Sequence, residues 1–126
     1  METILVQSIS ASRVSDDGKK HFIFEEIEKL LVFEAAYRAI IELPAQSFGG
    51  NHSHPRFESF IAVSKGLFLY YVEDNVKKSI EMDPYCLYTV NPHIPHAIVN
   101  KSDSSVSLIE YADSEQFDVK RENVYE

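Results

Sequence analysis

Short apolar segments recur along most of this chain, and turn-forming residues separate them. Clear examples are residues 37–43, which Pro44 ends, and residues 67–72, which Glu73-Asp74-Asn75 follows. Segments of this length are shorter than ordinary helices, and their β-branched and aromatic residues favour strands. Many short strands with turns between them predict a β-sandwich or a β-barrel.

The predicted strands cover residues 3–9, 21–24, 37–43, 57–63, 67–72, 76–82, 86–90, 96–100 and 105–111. Two segments are less regular. Residues 25–33 fit a helix, because Ile27, Leu30 and Leu31 have helical spacing, but they also fit a buried strand. The polar tail from Ser114 to Glu126 predicts a short helix or a loose extension.

The length and charge of the chain limit its organisation and its partners. At 126 residues the chain is long enough for one core, so we expect a single domain over 1–126. The formal charge of −8 argues against a nucleic-acid partner. Cys86 is the only cysteine, so an intramolecular disulfide is excluded. No apolar run approaches the roughly 20 residues of a membrane helix, and no signal-peptide pattern is present; we expect a cytoplasmic protein without a membrane partner.

The segment 49–66 holds side chains of the kinds that bind metal ions or transfer protons. His52 and His54 lie two residues apart, so on a strand they point to the same face, with α-carbons about 6.6 Å apart. A Pro-Arg pair follows and favours a reversal of the chain. Glu58 would then open the returning strand and face the two histidines. His96, far downstream, is a fourth candidate for the same site.

These residues resemble the two motifs of the cupins, a family of small β-barrels. The first motif is Gly, His-x-His, three or four residues, Glu, six residues and Gly; the second ends in Pro-x-Gly-x-x-His-x-x-x-Asn. The matching residues are His52, His54, Glu58 and Gly66 in the first motif and His96 and Asn100 in the second. The resemblance implies an all-β cupin double-stranded β-helix (a jelly-roll barrel), with a motif core over 36–112 and a short helix at a terminus.

The first motif departs from the family pattern in one spacing. Seven residues, rather than six, separate Glu58 from Gly66. If a one-residue bulge absorbs this offset, Glu58 holds the carboxylate position. Otherwise that position falls on Ser59. We take Glu58 as the equivalent residue.

A set of three imidazoles and one carboxylate supports two kinds of chemistry. It suits Zn, Fe, Mn or Ni without selecting among them, and a bound metal would polarise a carbonyl or enolate oxygen. Without metal, histidines can act as general base and acid, because their ordinary pKa lies near neutrality. His52, His54, Glu58 and His96 are therefore candidate metal ligands.

A narrower resemblance is to enzymes of deoxysugar nucleotide biosynthesis. Ketoisomerases that move the keto group of a TDP-linked 4-keto-6-deoxyhexose between C4 and C3 share the seven-residue spacing. Their His-x-His pair works as acid and base without metal, which implies catalytic roles for His52 and His54. Those enzymes also have an arginine where this chain has Gly49. The cupin domain of capsular-polysaccharide epimerases shares Gly-Asn-His-x-His and binds metal.

The resemblance implies an isomerase or epimerase acting on a keto-deoxysugar nucleotide. Its pyrophosphate needs cations, and Arg38 and Arg56 are available near the motif. Tyr37, Tyr70 or Tyr88 could lie near an enolate oxygen. The candidate substrate-binding residues are Arg38, Arg56, Tyr70 and Tyr88.

Two alternative functions and one assembly prediction stay open. The alternatives are a metal-dependent cupin dioxygenase and a non-catalytic cupin that binds metal or a small molecule. The segment 67–72 is apolar on both faces, although a small barrel in water should alternate apolar with polar residues. Its second apolar face needs cover from the same chain or from a partner subunit. On this ground we predict a homodimer.

Overall fold

A computed structural model describes residues 3–115 and 118–125 of this protein. Over these residues the regular secondary structure consists of strands and one short helix, joined by turns and loops. In chain order the elements are β1 (Ile4–Ser8), β2 (Arg13–Val14), β3 (Lys20–His21), α1 (Phe24–Glu28), β4 (Tyr37–Leu43), β5 (Phe48–Ser53), β6 (Glu58–Ala62), β7 (Leu67–Glu73), β8 (Val76–Glu81), β9 (Cys86–Val90), β10 (His96–Asn100), β11 (Val106–Ala112) and β12 (Lys120–Arg121).

Two five-stranded antiparallel sheets form the body of the protein. The first has the order β1-β9-β6-β11-β4, and the second has the order β12-β5-β10-β7-β8. One apolar core joins them, with Phe60 and Leu108 from the first sheet and Leu69 and Ile98 from the second. Strands adjacent in the chain, such as β6 and β7, lie in different sheets, as in a jelly roll. The prediction of an all-β jelly-roll barrel is confirmed.

The ambiguous segment after β3 contains the helix α1 and packs against the outer face of the first sheet. Ile27 of α1 clusters with Ile61 of β6 and Tyr111 of β11. Every residue of β6 is therefore buried, on both faces of the sheet. The same chain thus covers the outer face of β6, with no partner subunit needed there. The helix is close to the N-terminus, and no helix among the described residues is long and apolar enough to cross a membrane.

The predicted bulge between Glu58 and Gly66 is absent, because β6 pairs with β9 and β11 without a shift in register. The additional residue lies instead in the turn that joins β6 to β7. A bulge does occur in β5. His52 pairs with His96 and Gly50 pairs with Ala97, so Asn51 is the extra residue. This bulge sets His52 opposite His96.

The C-terminal tail is neither a helix nor a loose extension over its described residues, so that prediction is wrong. Its strand β12 pairs with β5, which would otherwise be an open edge of the second sheet. The side-chain oxygen of Asn51 accepts hydrogen bonds from the backbone N–H of Val124 and of Tyr125, at 2.9 and 2.8 Å. Val124 is only 2% exposed. Residues 116, 117 and 126 of the predicted tail lie outside the described residues.

Candidate active site

Four predicted site residues meet inside the barrel. Strand β5 carries His52, the turn after it carries His54, and β6 and β10 begin with Glu58 and His96. The ring centroid of His52 lies 4.9 Å from that of His54 and 5.2 Å from that of His96. The rings of His54 and His96 are also 5.2 Å apart. The sequence motifs therefore converge on one point, and Ser59 faces away from it, hydrogen-bonded to Thr89 at 2.6 Å.

The hydrogen bonds of His96 fix what lies between it and Glu58. Nδ1 of His96 is 2.8 Å from the carbonyl oxygen of Ile94, and a carbonyl oxygen can only accept, so Nδ1 donates. A neutral His96 would then present the lone pair of Nε2 to the Glu58 carboxylate, 3.0 Å away. Two acceptors attract each other only through a proton or a cation that both share. The short distance between Nε2 of His96 and the Glu58 carboxylate therefore requires a shared proton or a shared cation between them.

Glu58 is the electrostatic centre of the site. One of its carboxylate oxygens, Oε1, is 3.0 Å from Nε2 of His54 and 3.0 Å from Nε2 of His96. Burial alone would raise the pKa of Glu58, but its close contacts with Nε2 of His54 and of His96 hold this pKa below its ordinary value. Glu58 is therefore a carboxylate at neutral pH.

Arg56 supplies the counter-charge to Glu58. It is buried, and its Nε and Nη2 donate to the second carboxylate oxygen of Glu58 at 3.1 and 2.7 Å. Its Nη1 donates to the carbonyl oxygen of Ser114 at 2.8 Å. Arg56 borders the cavity, and its role in substrate binding stays a prediction. Its hydrogen bonds show that it also orients Glu58.

Sequence reasoning missed Glu110, an acidic side chain that faces the cavity from β11. Its Oε2 is 3.9 Å from Nη2 of Arg56. Burial and the nearby charge of Glu58 raise the pKa of Glu110 to about 8, so it is mostly protonated at neutral pH. The available signal was a charged residue two positions after Leu108, on the same face of an otherwise apolar strand.

The cavity has a volume of about 390 Å³, toward the lower end of the roughly 300–1,000 Å³ of small-molecule sites. His52 faces it, whereas His54 is buried behind the lining. Burial, followed by the neighbouring imidazoles of His96 and His54, lowers the pKa of His52 to about 4. The apolar lining residues are Ile41, Leu43, Phe60, Ile98 and Leu108, and the polar ones include Tyr37, Glu110 and Glu115.

Three predicted substrate-binding residues lie away from the cavity. Arg38 is on the outer face of β4, where its Nε and Nη2 donate to Glu28 at 3.0 and 2.9 Å. The ring of Tyr70 is on the outer face of β7, 5.0 Å from the ring of Tyr125. Tyr88 lies in the core, and its hydroxyl accepts a hydrogen bond from the Asp83 N–H at 2.7 Å. The pairing of the strands determines on which face each of these side chains lies, and this pairing could not be read from the sequence alone.

The four-residue group fits a divalent metal ion. One ligand atom from each of His52, His54, Glu58 and His96 lies within 4.8 Å of the others. Around an ion with ligand distances of about 2.0–2.2 Å, neighbouring ligand atoms are about 3.0–3.5 Å apart. The two 3.0 Å separations at Glu58 already match this value, and the widest separation in the group is 4.8 Å.

Several solved structures share this architecture. A mutant of the 3,4-ketoisomerase QdtA from Thermoanaerobacterium thermosaccharolyticum, in complex with TDP-4-keto-6-deoxyglucose, matches with a TM-score of 0.76 and 14% identity, over 96% of this chain and 88% of that one. WlaRA, a TDP-fucose-3,4-ketoisomerase from Campylobacter jejuni, matches with a TM-score of 0.74 and 13% identity, over 92% of this chain and 85% of that one. This chain has the cupin fold.

A third match is partial. The capsular polysaccharide assembling protein CapF from Staphylococcus aureus matches this chain with a TM-score of 0.64 and 19% identity, over 73% of this chain and 27% of that one. No protein-family model and no curated protein matches the sequence. At these identities the matches establish the fold, and the activity has to be argued from the site.

Proposed function

We propose that this cupin is an isomerase or epimerase that acts on a keto-deoxysugar nucleotide by proton transfer. The observation that carries the proposal is the position of His52, which faces an apolar-walled cavity beside His96 and Glu58. An imidazole in this position can reach a C–H bond of a bound sugar. The fold it shares with 3,4-ketoisomerases supports the same chemistry.

The reaction needs one base and one donor on the same sugar face. For a 4-keto sugar, His52 would take the proton from C3, and the C–H electrons would form the C3–C4 double bond of an enediolate. A proton then passes from the C3 oxygen to the C4 oxygen, and the protonated His52 returns a proton to C4 as the C3 carbonyl forms. Glu110, as a neutral carboxylic acid in the lining, can hydrogen-bond an enediolate oxygen. His54 lies behind the lining, so we assign it the positioning of Glu58.

As an alternative to this metal-free mechanism, we propose that the group of His52, His54, Glu58 and His96 can hold one divalent ion, with Zn, Fe, Mn and Ni as candidates; His52 bound to that ion would have no lone pair left to act as the base. Such an ion supplies a Lewis acid for a carbonyl or enolate oxygen. Elemental analysis of protein purified without chelator tests this, with one ion per chain as the expected content. Glu58→Gln should lower that content, because the amide binds a divalent ion more weakly than a carboxylate does.

Deuterium exchange tests the activity. The protein is incubated in heavy water with TDP-4-keto-6-deoxyglucose, and deuterium in the sugar ring is followed by NMR. We expect incorporation by the wild type, loss of at least 100-fold in His52→Asn, and wild-type rates in His21→Asn, whose histidine lies in the β2–β3 hairpin. No exchange by wild-type protein, with and without added metal, would refute the proposal.

The four-residue group gives one alternative activity a specific basis, since a metal-dependent dioxygenase needs such ligands. Iron retained at one per chain, with substrate-dependent oxygen uptake and no deuterium exchange, would favour the dioxygenase.

We keep the homodimer as a proposal, supported by exposed apolar residues such as Ile40 on β4. Elution as a monomer at micromolar concentration would contradict it.

A further inference from the structure

The cavity offers little positive charge to bind a diphosphate, although a sugar nucleotide carries a diphosphate between its sugar and its nucleoside. Among the described lining residues, Arg56 is the one arginine or lysine, and its hydrogen bonds go to Glu58 and to the carbonyl oxygen of Ser114. Glu110 and Glu115 also border the cavity. A sugar ring fits this interior, but the diphosphate requires positive charge outside it, at the mouth.

The register of β12 places one arginine opposite His52. Arg121 pairs directly with His52 of β5 in the antiparallel ladder. Directly opposed residues of an antiparallel pair project to the same face, with their Cβ atoms about 4.5–5.5 Å apart. Because His52 faces the cavity, Arg121 lies on the cavity side of the second sheet. β12 is the outermost strand of that sheet, and Arg121 is exposed, so its side chain is at the rim.

Two other basic residues in or next to the second sheet are oriented differently. Lys120 pairs with Ser53 and therefore lies on the opposite face, with its Nζ 3.8 Å from Oε2 of Glu122. Nζ of Lys101 is 4.5 Å from the ring centroid of Phe68 on the outer side of β7. Within residues 3–115 and 118–125, no carboxylate lies within ion-pair distance of Arg121.

The backbone around Arg121 is held in place before any ligand binds. The N–H of Glu122 donates to the carbonyl oxygen of Asn51 at 3.0 Å, and the Asn51 side chain binds the backbone of Val124 and Tyr125. An arginine on such a fixed segment loses less conformational entropy when it binds an anion. Its planar guanidinium can donate two parallel hydrogen bonds to a phosphate.

We propose that Arg121 binds the diphosphate of the substrate and so holds the sugar ring against His52. This inference rests on the proposed function, because it assumes a sugar nucleotide as the ligand. It assigns a binding role to the C-terminal strand, which lies outside both cupin motifs.

Binding of TDP, measured by isothermal titration calorimetry, tests the inference. We expect Arg121→Gln to weaken TDP binding by about 10- to 100-fold, the range typical of a lost charge-assisted hydrogen bond. Lys120→Gln is the matched control, with the same loss of charge one residue away on the other face, and should change the affinity by less than about 2-fold. Arg121→Lys should give an intermediate affinity, and thermal melts confirm that each variant is folded.

The outcomes separate this inference from the proposed function. Equal weakening by Arg121→Gln and Lys120→Gln, or no TDP binding by the wild type at millimolar concentration, overturns the role of Arg121 even if deuterium exchange is observed. Selective loss in Arg121→Gln supports that role even if the wild type exchanges no deuterium. With an active enzyme, we expect Arg121→Gln to raise KM by the same factor as it weakens TDP binding and to leave kcat nearly unchanged.

Discussion

Removing one partner of the buried ion pair of Arg56 and Glu58 should destabilise the protein by an unusually large amount. The side chains of Arg56 and Glu58 are 4% and 2% exposed. Arg56→Met keeps much of the volume but removes the charge, so the Glu58 carboxylate stays buried without its guanidinium partner. Breaking a buried pair in this way costs about 3–5 kcal/mol. We therefore expect Arg56→Met to lower the free energy of unfolding by about this amount.

This cost converts into a measurable shift in the melting temperature. Unfolding entropy is about 2.1 cal/mol/K per residue, or about 0.26 kcal/mol/K for the 126 residues of this chain. A loss of about 3–5 kcal/mol then lowers Tm by about 11–19 °C. Circular dichroism melts measure Tm, and urea titrations measure the free energy of unfolding independently.

The chain provides a matched control for burial. Arg38 makes a two-bond pair with Glu28, but the Arg38 side chain is 54% exposed. Water can solvate both partners there, so Arg38→Met should shift Tm much less than Arg56→Met. If the two variants melt within about 3 °C of each other, burial does not set the strength of the Arg56–Glu58 pair, and our reasoning is wrong.

Three further predictions concern single side chains. Gly50→Ala should destabilise the protein more than Gly18→Ala in urea titrations. Both glycines have positive φ, but a Cβ on Gly50 would lie 3.1 Å from the His96 carbonyl oxygen, whereas one on Gly18 meets nothing within 4 Å; equal losses would exclude a role for this close contact. Asn100→Asp should cost about 3 kcal/mol or more at pH 7, because the Nδ2 of Asn100 donates to three backbone carbonyl oxygens. This loss of stability should become smaller below about pH 4, because there the introduced carboxyl group is protonated in the unfolded chain as well as in the folded one. A loss that does not change with pH would contradict the prediction. Tyr88→Phe should cost about 1 kcal/mol through its lost hydrogen bond, with kcat/KM unchanged; a large fall in kcat/KM would return Tyr88 to the site.

Sequence reasoning succeeded where neighbouring residues decide the structure. Residues 37–43, 86–90 and 96–100 were predicted as strands, and β4, β9 and β10 have these bounds. Turn residues and apolar segments act over a few positions, so they can be read from the chain directly. The two-residue spacing of His52 and His54 predicted a shared face on one strand, but β5 ends at Ser53 and His54 lies in the turn after it.

The convergence of distant residues was predicted from a resemblance, since nothing local links His96 to Glu58. The tertiary structure confirms their contact and corrects its details. The bulge lies at Asn51 rather than after Glu58, and the extra residue before Gly66 is in a turn. The pairing of strands far apart in sequence determines these details.

The sequence by itself determined where most of the longer strands lie and which chemical groups they carry, but it did not predict β12. Only the tertiary structure decided which groups face the cavity: it turned Arg38 and Tyr70 outward, brought Glu110 inward and set Arg121 beside His52. The reason is that side chains alternate along a strand, so a shift of one residue in pairing reverses every direction. Pairing between distant strands depends on the packing of the whole barrel, which no local segment of the chain encodes.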